Sequence, residues 1–127
     1  CGLPCRYDGS VAPLPAALEL VRQGRAIPVC PEQLGGLPTP RPPIELRRGR
    51  AHARDGRDLT DEVVRGSQAA ADLARLAGCA AALLKARSPT CGCGRIYDGT
   101  FSGTLIPGDG MLAALLRELG VAVVSED

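Results

Sequence analysis

An α/β fold with a mostly parallel sheet is what this 127-residue sequence predicts, and three observations carry the expectation. Short apolar runs of the kind that form buried strands alternate with amphipathic segments of helical period. The 16 glycines and 11 prolines gather in clusters between those segments rather than in a low-complexity tract. The resulting order, strand, loop, helix, strand, loop, helix, strand, is that of a parallel sheet with helices packed on it. At 45% hydrophobic and 23% charged residues, the chain reads as one soluble domain, residues 1–127, long enough to bury a core.

After an opening loop, residues 13–24 (PLPAALELVRQG) place Leu14, Ala17, Leu18 and Val21 on one helical face, stopped by Gly24. Residues 26–30 (AIPVC) read as a short buried strand, although Pro28 has no N–H to give to a ladder. The proline- and glycine-rich CPEQLGGLPTPRPP that follows reads as a long loop without regular structure. IELRRGRAHAR (44–54) predicts a small hairpin turning at Gly49, an arginine-rich and solvated flap. Thr60 is the expected N-cap of a helix ending near Ala77, with Asp61 and Glu62 in its first turn. Its apolar stripe is Val63, Val64, Ala70, Leu73, Ala74 and Ala77, and Gly78 closes it. Residues 79–84 predict a strand buried on both faces. KARSPTCGCGRIYDGTFSG predicts a second long loop, residues 111–119 a helix closed by Gly120, and residues 121–124 a last buried strand.

Composition removes several functions. Lys and Arg total 15 against 14 Asp and Glu, a net charge of +1, and a nucleic-acid binder ordinarily needs a basic excess. Aromatics at 2%, with no Trp, leave little for base stacking. No apolar run approaches the roughly 18 residues of a membrane span, and no leader opens the chain. A cytoplasmic protein, monomer or homodimer, is the expectation. Lys85 is the single lysine and stands out for that reason.

Six cysteines need an account. Cys79, inside an apolar run, is expected to be buried and inert. Cys1, Cys5, Cys30, Cys91 and Cys93 stand in loops beside proline or glycine. Thiols collected in the loops at the carboxyl edge of a parallel sheet, where such folds bind ligands, suggest a metal centre or redox chemistry. Three Cys ligands with one open position suit an iron–sulfur cluster or an open zinc site. Paired CxxC knuckles are absent and His52 is the lone histidine, against a zinc finger. Cys5 and Cys93 are equally compatible with ordinary loop thiols. Glu32, two residues after Cys30, and Ser88, three before Cys91, are placed for proton transfer, with a backbone cap the other reading of Glu32. Arg6, Asp8, Arg41, Tyr97 and Asp98 are candidates to hold a polar substrate. Against that, Arg6 and Asp8 can form an internal ion pair, and Tyr97-Asp98-Gly99 can be a turn in which Asp98 bonds the following backbone.

CRYDG, VCPEQLGGLPTPRPPIE, GRDLT, LLKARSPTCG, IYDGTFSG and VAVVSE together resemble, along the whole chain, the bacterial family known as domain of unknown function 523, whose members include the thiouracil desulfidases. The resemblance implies a Rossmann-like three-layer fold. It also implies an oxygen-sensitive [4Fe-4S] cluster held by three cysteines, whose free iron takes sulfur from a thiolated nucleobase and leads to hydrogen sulfide. Cys30 and Cys91 match two cluster cysteines, and Glu32 and Ser88 match positions implicated in catalysis. The third cluster cysteine belongs to a loop C-x-x-G-x-x-C-R-Y-D-G, which aligns Gly2 and Cys5 and puts the first Cys two positions before Cys1. On this expectation the chain is N-terminally truncated, lacks the first strand, and leaves Cys1 or Cys5 to stand in. A metal- or sulfide-binding protein without turnover is the alternative.

Overall fold

A computed structural model describes residues 2–127; Cys1, one candidate for the third cluster ligand, lies outside them. The elements run in the order α1 (Pro15–Arg22), α2 (Pro31–Leu34), β1 (Ile44–Arg47), β2 (Arg50–Ala53), α3 (Thr60–Leu76), β3 (Ala81–Leu84), β4 (Arg95–Tyr97), β5 (Leu105–Pro107), α4 (Met111–Glu118) and β6 (Ala122–Ser125). The fold is α/β, with β3 and β6 paired in parallel from Ala81↔Ala122 to Leu84↔Ser125. Two antiparallel pairs, β1–β2 and β4–β5, form two further two-stranded sheets.

The β1–β2 hairpin turns through Arg48 and Gly49, whose φ values of 52° and 75° are both left-handed, the two-residue connection that matches strand twist. It is no solvated flap. Ile44, Leu46, Ala51 and Ala53 point inward and build one core with Leu37, Leu59, Val63 and Ile96. The second core lies between α3, α4 and the parallel pair, where Ala70, Ala71, Leu84, Leu112, Ala113 and Leu116 are buried.

Several expectations need correction. Residues 26–30 form no strand; Val29 packs on the second core, but Pro28 has no N–H and the segment joins no ladder among the described residues. Its expected loop successor contains α2, for which Pro31 is suited because the first helical residue needs no N–H donor. The second long loop likewise contains β4 and β5. Thr60 is the first helical residue rather than the cap: its N–H goes to Asp58 Oδ1 at 2.9 Å, and its hydroxyl takes the Ala51 N–H at 3.0 Å. The Thr60 hydroxyl, which donates to Asp58 Oδ1, and the Thr60 N–H, with Arg50 beside them, hold the Asp58 carboxyl well below the usual carboxylate range. Val64 is exposed, off the buried stripe. Strands β3 and β6 are covered on one face only, leaving Leu83 and Val124 exposed, and Cys79 is half-buried. Lys85 and Glu126 pair at 2.6 Å across the ends of β3 and β6, so the single lysine ties down the sheet edge.

One contact positions everything that follows. Helix α2 lies backbone to backbone on α3: a Cβ on Gly66 would stand 1.8 Å from the Pro31 carbonyl oxygen, and one on Gly35 2.0 Å from that of Glu62. Gly66→Ala is therefore expected to cost about 3 kcal/mol, as overpacking does when backbone rather than a flexible side chain must yield. Gly78→Ala, facing open space at φ +67°, should cost only about 1 kcal/mol for its left-handed backbone. Urea unfolding of both variants checks the difference; equal losses would mean that α2 can lift from α3 freely.

Candidate active site

Cys30 is the N-cap of α2, its carbonyl accepting the Leu34 N–H at 3.0 Å. That start puts Glu32 in the first turn of α2. Its side chain makes no backbone cap and turns instead to two partners. Arg41 donates from Nε to Glu32 Oε2 at 2.7 Å, and its Nη2 pairs with the same oxygen at 2.7 Å. Thr90 Oγ1 donates to Glu32 Oε1 at 3.0 Å. Both members of the ion pair are nearly buried, with side-chain exposures of 4% for Arg41 and 12% for Glu32. Pairing in so little water is what makes the geometry strict.

Arg41 also reaches the CRYDG loop. Its Nη2 donates to the Cys5 carbonyl at 2.9 Å and its backbone N–H to the Tyr7 carbonyl at 2.6 Å. Cys5 is thereby brought beside Cys30, whose Sγ lies 3.9 Å from the Cys5 carbonyl oxygen. Burial raises the Cys5 thiol above its ordinary value, and the Cys30 sulfur next to it raises it further.

The third thiol arrives on a loop fastened to α4. Ser88 Oγ accepts the N–H groups of Thr90 and Cys91, both at 3.1 Å. The first N–H groups of α4 go back to the same loop, from Met111 to the Pro89 carbonyl and from Leu112 to the Thr90 carbonyl. Gly92 and Gly110 permit this closeness, since a Cβ on either would come within 2.6 Å of loop backbone. Cys91 packs on the second core, and its thiol is pushed up to about 12, by burial first, then by Glu32, Cys30 and Cys5.

Cys5, Cys30 and Cys91 thus influence one another from three separate segments, around Glu32. No three His, Cys, Asp or Glu side chains among the described residues stand as one metal ion would need. A cluster asks for something else, thiolates disposed around a larger body. The donor set fits it: three sulfur ligands, of which Cys5 and Cys91 are raised toward the protonated form, a cost that positive charge would relieve with release of protons.

Cys93 is not part of the group. The turn at Gly92, whose N–H bonds the Ser88 carbonyl at 2.8 Å, breaks the extended geometry in which residues 91 and 93 would point the same way. Its sulfur accepts from Arg117 Nη2 at 2.8 Å and lines a different cavity with Arg87, Arg95 and Ser125.

The substrate-binding candidates fare unevenly. Arg41 is committed to Glu32. Arg6 and Asp8 form no ion pair; Asp8 takes the Ser10 N–H at 2.9 Å, and the Ser10 hydroxyl first, then this N–H, lower it, ahead of the nearby Arg6 charge. Asp98 takes the Thr100 N–H at 2.9 Å, the turn expected of Tyr97-Asp98-Gly99, and no hydrogen bond or ion pair among the described residues joins Tyr97 or Asp98 side chains to the Glu32 group. Two residues escaped sequence reasoning. Thr90 reads as a spacer in SPTCG yet is fully buried against Glu32. Glu45, buried in β1, accepts the Gly99 and Phe101 N–H groups, both at 3.0 Å, and so anchors the YDGTF turn. No helix among the described residues is long and apolar enough to cross a membrane.

Known proteins resemble this chain along its whole length. The protein YbbK of Bacillus subtilis (strain 168) is 39% identical over 136 residues, spanning 99% of this chain and 90% of its own. The structure of the [4Fe-4S]-dependent thiouracil desulfidase TudS (DUF523Vcz) matches with a TM-score of 0.93 at 45% identity, over 99% of this chain and 85% of that one. The model of the 2-thiouracil desulfurase family matches residues 1–127. With the family matched end to end and the fold shared at this identity, the chain belongs to the 2-thiouracil desulfurase family.

Proposed function

We propose that this protein is an iron–sulfur-dependent desulfurase that removes sulfur from a thiolated nucleobase or similar heterocycle and releases hydrogen sulfide. The observation that carries this is the gathering of Cys5, Cys30 and Cys91 around a carboxylate locked by Arg41 and Thr90. Cys30 and Cys91 would hold the [4Fe-4S] cluster, and Cys5 is the third thiol this chain brings to them. When bound, the cluster supplies a Lewis-acidic iron without a protein ligand, open to the substrate's sulfur.

The chain's own groups handle protons. Hydrolysing C=S to C=O consumes one water, whose two protons leave on sulfur as hydrogen sulfide. Glu32 carries protons between that water and the sulfur. Ser88 accepts two backbone N–H groups at Oγ, which fixes the oxygen and leaves its own proton to donate. Arg6, next to Cys5 in the chain and exposed, is the candidate to meet the heterocycle, with Asp8, Tyr97 and Asp98 the others. The reading carries with it a single-domain cytoplasmic protein, monomer or homodimer, that takes a free heterocycle rather than a nucleic acid, in keeping with its net charge of +1.

Anaerobic reconstitution followed by iron, acid-labile sulfide and hydrogen sulfide measurements with 2-thiouracil is the test. A full cluster with sulfide release is expected. Iron without turnover would favour a metal- or sulfide-binding protein instead. Cys5→Ser is expected to lower iron per chain; unchanged iron would hand the third position to Cys1, the other candidate.

A further inference from the structure

We propose that Arg41 and Thr90 are positioning residues that clamp the Glu32 carboxylate, one at each oxygen, and so leave Oε1 as the single atom that takes and returns the proton. The inference rests on the reading of Glu32 as proton carrier and deepens it.

A carboxylate offers about four acceptor positions. Arg41 is committed to Oε2, its Nε donating at 2.7 Å and its Nη2 paired with the same oxygen at 2.7 Å. Oε1 receives only the Thr90 hydroxyl, at 3.0 Å, and keeps one position open. Rotating the carboxylate about its terminal bond would break both contacts at once, inside a site too dry to replace them with water. Neither partner is free to follow. The Arg41 guanidinium is also held by Thr39 Oγ1, through Nη1 at 3.0 Å, and by the Cys5 carbonyl, through Nη2 at 2.9 Å. Thr90 is fully buried, its N–H on Ser88 Oγ and its carbonyl on α4 N–H groups. Because Thr90 is covalently next to Cys91, its hydroxyl ties the carboxylate to the segment that carries that thiol. Lysine cannot replace Arg41 here, since a point charge has no fork to fix a plane.

The test is a double-mutant cycle on the reconstituted full chain with 2-thiouracil, using Thr90→Val in wild-type and Glu32→Gln backgrounds, with Thr90→Ser as the conservative variant. Thr90→Val is expected to lower kcat about tenfold with KM and iron per chain unchanged, and Thr90→Ser to stay within about twofold of wild type. In the Glu32→Gln background Thr90→Val should change kcat no further, because its effect passes through the carboxylate. A full multiplicative loss in that background would overturn the proposal. A second readout needs no cluster. In the cluster-free protein the Arg41 Nε–H is expected to exchange slowly by NMR, and to lose that protection in Glu32→Gln. Exchange as fast as that of an exposed arginine in the wild type would overturn the clamp, even if Thr90→Val failed to fold. Near-wild-type kcat in Glu32→Gln would instead strike the proton-carrier reading, and the Nε–H measurement would still decide the clamp.

Discussion

Glu32→Gln is expected to keep its iron and lose turnover by about 10²-fold or more, the usual contribution of general acid–base catalysis. The amide preserves shape and can still accept the Thr90 hydroxyl, so the thiols around it should hold their places. It cannot take and return a proton. Nor can it neutralise Arg41, which would be left with its charge buried at 4% side-chain exposure. Breaking a buried pair from one side is expensive, so a loss of about 3 kcal/mol in stability should accompany the loss of rate. Anaerobic desulfuration of 2-thiouracil and thermal melting of the same preparation check both. A backbone cap would tolerate glutamine with little change, and α2 shows no side-chain cap for it to be. Rates near wild type would remove Glu32 from the reaction.

Cys91→Ser and Cys93→Ser are expected to part completely. The first should lose the cluster, since Cys91 is the thiol that shares its surroundings with Cys5, Cys30 and Glu32. The second should retain the wild-type iron content, because Cys93 bonds Arg117 and lines another cavity. Iron per chain after identical reconstitution reads the contrast. The reverse pattern would move the ligand to Cys93, and loss in both would mean that the two act together.

Periodicity made the larger elements legible. The long α3 shows its stripe and its stop at Gly78, α4 does the same before Gly120, and the apolar runs of β3 and β6 announce a parallel pair. What periodicity missed has physical reasons. Helix α2 is four residues long, less than the span over which a 3.6-residue repeat can be seen. The apolar run before it looked like a strand because Val29 is indeed a core residue, yet a strand needs a ladder and Pro28 cannot contribute to one. Arginine-rich IELRRGRAHAR looked solvated because its charges were counted before its alternation; Ile44, Leu46, Ala51 and Ala53 carry the buried face.

The candidate site was half visible. Thiols beside prolines in loops drew attention to Cys30 and Cys91 on chemical grounds, and the resemblance gave them roles. The clamp on Glu32 was not visible at all, because its partners lie 9 and 58 residues away in sequence and no local rule links such positions. Arg41 looked like a substrate residue for the same reason: its charge is plain in the sequence, its burial is not. Thr90, between Pro89 and Cys91, carried no signal beyond being small and polar.

The guanidinium that crosses from Glu32 to the Cys5 carbonyl has a consequence for the order in which the site comes apart. Helix α1 contributes no buried residue, and the segment before it is tied to the body chiefly through backbone carbonyls of residues 5 and 7 that face Arg41. Cys30 and Cys91, by contrast, sit on segments welded to α3 and α4. Segments with little burial open at a small fraction of the cost of global unfolding. Air and chelators would therefore enter from the N-terminal side, by brief departures of residues 2–22, while the rest of the molecule stays folded. Damage to the cofactor and denaturation of the protein become separate events, and a preparation can lose all activity while its melting curve has scarcely moved.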